Sequence, residues 1–124
     1  MNPQAHTVKQ WRDHITRLAH AAQVTIHYDD LLCTMDAYYL PNEREIHAPN
    51  ITDLDSYLTA LHECAHAILQ HPNTRSWDTE AEYEHEANMY VAAAAEHVPS
   101  HLLSQWVAQA EHDRIKSSTE HAPK

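Results

Sequence analysis

The sequence predicts an α+β fold in one small domain, and three observations support this. Apolar residues recur at helical spacing near the N-terminus, they alternate with polar residues between positions 24 and 48, and helical spacing returns from residue 53 onward. A chain of 124 residues suffices for one core, and no repeat or linker divides it. The expected order is a helix, a small three-stranded antiparallel or mixed sheet, and three further helices. We assign residues 1–116 to the domain and 117–124 to a flexible tail.

The first helix is predicted over residues 5–22. Its apolar residues follow one another at three- and four-residue spacing, which places them on one face: Val8, Trp11, Ile15, Leu18 and Ala22.

The sheet is predicted from short stretches that suit strands. Val24, Ile26 and Tyr28 alternate with polar residues and indicate a first strand. Residues 36–40 and 45–48 flank Pro41-Asn42-Glu43-Arg44 and indicate a hairpin. Because the chain contains no glycine, we expect Asn, Asp and Pro to make every turn.

A second helix is predicted over residues 53–70 because one apolar face runs through Leu54, Leu58, Leu61, Ala65 and Ile68. Thr52 followed by Asp55 resembles a capping box at its start, and Pro72-Asn73 ends it.

The third helix is predicted over residues 78–97, and its acidic first turns suit the positive end of the helix dipole. Pro99 fits the first turn of a fourth helix, which carries one apolar side: Leu102, Leu103, Trp106, Val107 and Ala110.

Composition excludes several classes of function. Eighteen acidic residues against eight Lys and Arg give a net charge of −10, which argues against a nucleic-acid surface and an anionic membrane. We expect neither a membrane span nor a signal peptide, because no apolar run is long enough. Two cysteines build no disulfide framework, which predicts a reduced, cytoplasmic protein. Thirteen histidines make metal chemistry the first hypothesis to examine.

The motif His62-Glu63-Cys64-Ala65-His66 has the pattern HExxH in the predicted second helix. Histidines four apart lie on one helix face, where both imidazoles can reach one zinc ion and the adjacent Glu63 can reach its water. A histidine-rich chain forms this pattern by chance more readily, but the helical placement and the carboxylate-rich third helix favour zinc. Cys64 should point away from the metal, since it lies about 200° around the helix from His62.

The third ligand stays open on periodicity alone. Glu84 shares a helix face with Ala87 and Val91, Glu86 shares another with Tyr90, and Glu82 is a further candidate. The sequence HECAHAILQH followed by HEANMYVAAAAEHVP resembles the ImmA/IrrE family of zinc metallopeptidases, over about residues 5–105. That family shows HExxH and then a helix reading roughly E-A-N-x-F-A-A-x-L-L-x-P, and the match implies Glu86 as third ligand. Ala65, Tyr90 and the pair Glu96-His97 depart from the family pattern.

The resemblance implies a gluzincin-like zinc endopeptidase with a zincin-like fold. Zn²⁺ would sit on His62, His66 and Glu86, and Glu63 would assist the attack of zinc-activated water on a peptide carbonyl. The implied substrates are transcriptional repressors, often from phages or mobile elements, and an acidic enzyme suits a basic DNA-binding protein. The alternative is a non-proteolytic zinc protein that regulates a partner by binding it. Another divalent metal also fits such ligands, and a metal-free scaffold is the third hypothesis.

Further side chains have weaker assignments. Tyr90, four residues after Glu86, is a candidate for orienting a ligand or stabilising the oxyanion, with core packing as the favoured alternative. His71 and His85 are weighed as donors near the site against placement on the surface. By analogy with zincins, residues 45–48 are the candidate edge strand for an extended substrate, against an ordinary solvated edge.

Overall fold

The computed structural model describes residues 5–73 and 76–121, apart from the side chains of Trp77 and residues 117–121. It confirms the α+β class, with elements α1 (Ala5–Ala22), β1 (Thr25–Tyr28), β2 (Tyr38–Leu40), β3 (Glu45–Ala48), α2 (Leu54–Ile68), α3 (Trp77–Ala94) and α4 (Ser100–His121). A 3₁₀ turn at Thr34–Asp36 precedes β2. Helix α4 extends five residues into the expected tail, and residues 122–124 lie outside the described ones. Within the described ranges, no helix is long and apolar enough to cross a membrane.

The sheet is mixed, with strand order β1-β3-β2. Strand β1 runs parallel to β3, and the hairpin pairs β2 antiparallel to β3. The prediction that residues 45–48 form an edge strand is therefore wrong, because β3 has a neighbour on each side. The edges belong to β1 and β2, and β2 is the edge that lies beside α2.

Helix α2 is the centre of the core and packs against α1, the sheet and α3. Its Tyr57, Leu58 and Leu61 are fully buried, and they meet Ile15 of α1 and Ile46 of β3. Burying each large side chain of this kind contributes about 1.5–3 kcal/mol. Cys64 also lies in this core, as expected, and its burial raises the pKa of the thiol to about 12. A helix surrounded on three sides is a rigid support for the two histidines that it carries.

A capping box fixes the start of α2, one residue later than predicted. Asp53, not Thr52, is the cap: its Oδ1 accepts a hydrogen bond from the Ser56 amide at 2.8 Å. The Ser56 hydroxyl accepts in return from the Asp53 amide at 3.0 Å. Two of the amides that a helix start leaves free are thus satisfied, which fixes where α2 begins.

The end of α2 is a Schellman motif made without glycine. Gln70 takes the left-handed conformation, with φ 59°, and its amide bonds to the Ala67 carbonyl. The His71 amide bonds to the His66 carbonyl at 3.0 Å, which folds His71 back beside His66. The expectation that Asn, Asp and Pro make every turn is wrong, since the left-handed positions are held by Gln23, Arg44, Gln70 and His97.

A buried histidine makes the stability of the fold sensitive to acid. His14 of α1 is 6% exposed, and its Nδ1 lies 2.6 Å from the Tyr57 hydroxyl. That hydroxyl accepts from the Glu96 amide at 2.9 Å, so its own proton is free to donate to His14. Burial lowers the pKa of His14, although the Glu96 carboxylate acts in the opposite direction. The fold therefore favours neutral His14.

We expect acid to destabilise the protein through His14. Below the unfolded pKa of about 6.5, the unfolded chain binds a proton that the folded chain resists, so stability falls by at most about 1.4 kcal/mol per pH unit. This contribution is complete above that pKa and is lost as pH falls toward the lower folded pKa. Urea unfolding at neutral and mildly acidic pH should show a smaller loss in His14→Gln than in the wild type. An equal loss in both proteins would contradict the assignment.

Candidate metal centre

The two motif histidines of α2 converge on one carboxylate of α3. The Nε2 atoms of His62 and His66 are 3.2 Å apart. One oxygen of Glu84 lies 2.9 Å from the His62 Nε2, and the other lies 2.8 Å from the His66 Nε2. The histidine side chains are 13% and 12% exposed, and that of Glu84 is 39% exposed. The three donors thus form a compact group at the boundary between two packed helices.

This group fits a zinc ion by donor type and by spacing. Zinc–nitrogen bonds of about 2.0–2.1 Å in a tetrahedral site place the donor atoms about 3.3 Å apart. The observed separations of 3.2, 2.9 and 2.8 Å are close to that value. Two histidines and one carboxylate are also the protein ligands of one class of catalytic zinc site, which keeps its fourth position open. The residues present therefore suit this metal.

The structure places Glu84, not Glu86, beside the histidines. The face of α3 that packs on α2 carries the fully buried Ala87 and Val91. Glu84 precedes them by three and seven residues and so shares that face, whereas Glu86 lies about 200° around the helix from Glu84. Glu82 is exposed. The assignment of Glu86 from the resemblance thus differs from the geometry by one half-turn of α3.

The charges in the group are strongly coupled. Burial alone would raise the pKa of Glu84, but hydrogen bonds from His62 and His66 hold it well below its usual range. Burial acts to lower the pKa of both histidines, and it prevails at His66. At His62 the hydrogen bond and charge of Glu84 outweigh burial and raise the pKa. An anionic Glu84 facing two imidazoles is an environment that favours a cation between them.

Glu63 lies on the same cleft as His66 and Glu84. Burial raises the pKa of its carboxyl group to about 7; His62 acts to lower it and Glu84 to raise it further. A carboxyl group that exchanges its proton near neutral pH is suited to general acid–base work. The structure therefore brings together four residues of one potential catalytic group.

The cleft has a volume of about 300 Å³ and opens between α2, α3 and the β2 edge. This is the lower end of the range for ligand sites. Its acidic residues lie on the helices and its tyrosines on β2 and α3. The residues that line it are Ala37, Tyr38, Tyr39, Pro41, Glu63, His66, His71, Pro72, Asn73, Glu80, Tyr83 and Glu84.

His71 links Glu86 to the metal group. It is 6% exposed, and its Nδ1 lies 2.9 Å from the His66 Nδ1. Its Nε2 lies 2.9 Å from a Glu86 oxygen, and its ring stacks on Tyr83 at 4.3 Å. When His71 donates to Glu86 through its Nε2, its Nδ1 can accept from the His66 Nδ1, and a metal that displaced the hydrogen bond from the His66 Nε2 to Glu84 would then meet the Nε2 lone pair. The sequence favoured a surface position for His71. The usual signal for this kind of helix end is a glycine in the left-handed conformation, and here that position holds Gln70.

Asn88 takes the corresponding place beside His62. It is 1% exposed and donates to Glu111 of α4 at 2.9 Å. Among the described residues, Asn88 Oδ1 and His62 Nδ1 are the buried side-chain atoms without a hydrogen bond of ordinary geometry. Asn88 nevertheless acts to raise the pKa of His62. Asn88 had no predicted role, although it lies four residues after Glu84 and hence on the same face of α3.

Tyr90 lies away from the cleft. It is partly buried, packs against the core and lines a separate cavity with Leu18, Arg44 and Ile68. The reason is again helix phase, since Tyr90 is six residues, or about 240°, from Glu84. The structure therefore gives Tyr90 the packing role that was the alternative. His85 contacts Glu111 on the α4 side and is likewise separate from the metal group.

Comparison of the chain with protein-family models, with curated proteins and with solved structures finds no match. The resemblance to the ImmA/IrrE family and the zincin-like fold therefore stay predictions. The α+β fold and the grouping of His62, His66 and Glu84 rest on the structure itself.

Proposed function

We propose that this protein is a zinc-dependent metallopeptidase of the ImmA/IrrE type. The observation that carries the proposal is the convergence of His62, His66 and Glu84 at zinc-like spacing on a cleft that Glu63 also lines. The proposal keeps the predicted enzyme class and replaces Glu86 by Glu84 as the third ligand.

Each residue of the site has a distinct role in the proposed hydrolysis of a peptide bond. A bound zinc ion would supply Lewis-acid polarisation of the carbonyl and would make water more acidic. Glu63 accepts the proton of the attacking water and returns it to the nitrogen of the departing amine. His71 holds the His66 imidazole in orientation from behind. With one carboxylate among the three residues that would hold it, a zinc ion would supply net positive charge for the developing oxyanion.

The substrate that suits this site is a basic protein. Glu63, Glu80 and Glu84 line the cleft, and the chain as a whole carries a net charge of −10. Both features favour approach of a positively charged chain. A DNA-binding repressor, of the kind that phages and mobile elements encode, has this charge, and a cytoplasmic enzyme would meet it.

The direct test is zinc-dependent cleavage. Purified chain without an affinity tag should be incubated with a panel of basic DNA-binding proteins and a mixed peptide library, and new termini should be identified by mass spectrometry. We expect cleavage that stops when a chelator removes zinc and returns with one equivalent of zinc. Cleavage that persists in fully stripped protein would overturn the proposal, as would intact substrates throughout the panel and library with zinc bound.

A further inference from the structure

We infer a second metal site, separate from the proposed catalytic one, on the outer face of the sheet. Its ligands are His27 of β1 with Glu45 and His47 of β3, and the ion is zinc or another divalent transition metal that imidazole binds well. It shares no residue with the group on α2 and α3, so it stands independently of the proposed function.

The backbone brings the three donors together. His27 and His47 are register partners in the parallel pair β1–β3, so they lie side by side on one face. Glu45 is two residues before His47 and projects from the same face. The intervening Ile46 is fully buried on the opposite face, against the helices. The three side chains therefore face away from the core, where a dissolved ion can reach them.

The side chains already converge on one point. The two oxygens of Glu45 divide between the histidines, at 3.6 Å from the His27 Nε2 and 3.3 Å from the His47 Nε2. One ligand atom from each residue lies within 4.8 Å of the others. This spacing is wider than in a bound tetrahedral site, where donors are about 3.3 Å apart. A small rotation of partly exposed side chains closes the difference.

Stacking holds the imidazoles in place before any metal arrives. The His27 and His47 rings stack at 4.7 Å, and Tyr38 of β2 stacks on the other side of His47 at 4.8 Å. This row of rings crosses all three strands at one register. Side chains that are already ordered lose less conformational entropy when they bind an ion.

The donor set selects the class of metal. Two neutral imidazoles with one carboxylate suit zinc or copper, whereas magnesium and calcium prefer an all-oxygen shell. The one carboxylate supplies a negative charge to a divalent ion at this site. The negative net charge of the chain also raises the local cation concentration.

The test counts zinc ions. Calorimetric titration of the untagged, metal-free protein should show two equivalents, and His27→Asn/His47→Asn should lose one of them. The matched control is His20→Asn/His101→Asn, which changes two exposed histidines on α1 and α4 and should keep both. Glu45→Gln should weaken the second equivalent by about tenfold or more, and magnesium should not compete. Circular dichroism checks that each variant is folded.

Imidazole ¹⁵N spectra identify the ligands directly, since the second equivalent should shift the His27 and His47 resonances. Two outcomes would overturn the site: a second equivalent that binds the double variant unchanged, or none at millimolar zinc in the wild type. Failure of the proposed catalytic site looks different, because the wild type would then bind one equivalent that the His27→Asn/His47→Asn variant loses.

Discussion

Glu84→Gln is expected to lower zinc affinity by more than about 100-fold, whereas Glu86→Gln should lower it by only about tenfold, as loss of an outer hydrogen-bond partner does. Glu84 contacts both ligand histidines directly, and Glu86 reaches the group only through His71 and His66. The pair is well matched, since the two residues lie on the same helix and the change is identical. Competition with a chromophoric chelator measures both affinities.

The apoprotein controls for folding. Thermal unfolding of each variant without metal gives its own reference, against which only the change caused by added zinc reports metal binding. Added zinc should raise the melting temperature of Glu86→Gln more than that of Glu84→Gln, since an ion stabilises the native state more when it binds there more tightly. A larger loss of affinity in Glu86→Gln would show that the resemblance had the correct register and that α3 rotates when metal binds.

The elements of the fold were predictable because their signals are local. The first helix, the hairpin and the motif helix follow from apolar spacing, and the observed bounds of α1 are the predicted ones. The sheet order was not predictable in the same way. The sequence of residues 45–48 predicts a strand. Its place between β1 and β2 depends on the pairing of residues 25–28 with it, which joins distant parts of the chain. A one-dimensional pattern carries no information about that pairing.

The residues of the candidate site also differ in whether local sequence could predict them. His62, Glu63 and His66 follow from spacing within one helix, whereas the third ligand depends on the rotation of a second helix against the first. The buried pair Ala87 and Val91 fixes that rotation and brings Glu84 beside His62 and His66. The resemblance points to Glu86 because it aligns residues along the chain, without reference to the face of α3 that packs on α2. Asn88 was missed, and His71 was expected on the surface, for a related reason: their positions depend on a helix contact and on a helix end.

Replacing Glu63 by Gln is expected to abolish measurable peptidase activity while zinc stays bound. Glutamine has the shape of glutamate but accepts no proton, and loss of general acid–base catalysis costs about 10²–10⁴-fold in rate. Zinc affinity should stay within a few-fold of the wild type, because Glu63 is not one of the three grouped donors. The matched control is Glu82→Gln, an exposed carboxylate on α3, which should keep full activity. Single-turnover cleavage of an identified substrate measures both.

The same variant also separates catalysis from stability. Burial raises the pKa of Glu63 to about 7, so above that pH the fold must hold a desolvated charge that glutamine lacks. Glu63→Gln should therefore unfold at an equal or higher temperature than the wild type at alkaline pH, although it is inactive. If the protein instead holds zinc and regulates a partner only by binding it, Glu63→Gln should retain the full effect on that partner. Loss of activity in a protein that is at least as stable and still holds zinc leaves proton transfer by Glu63 as the function removed.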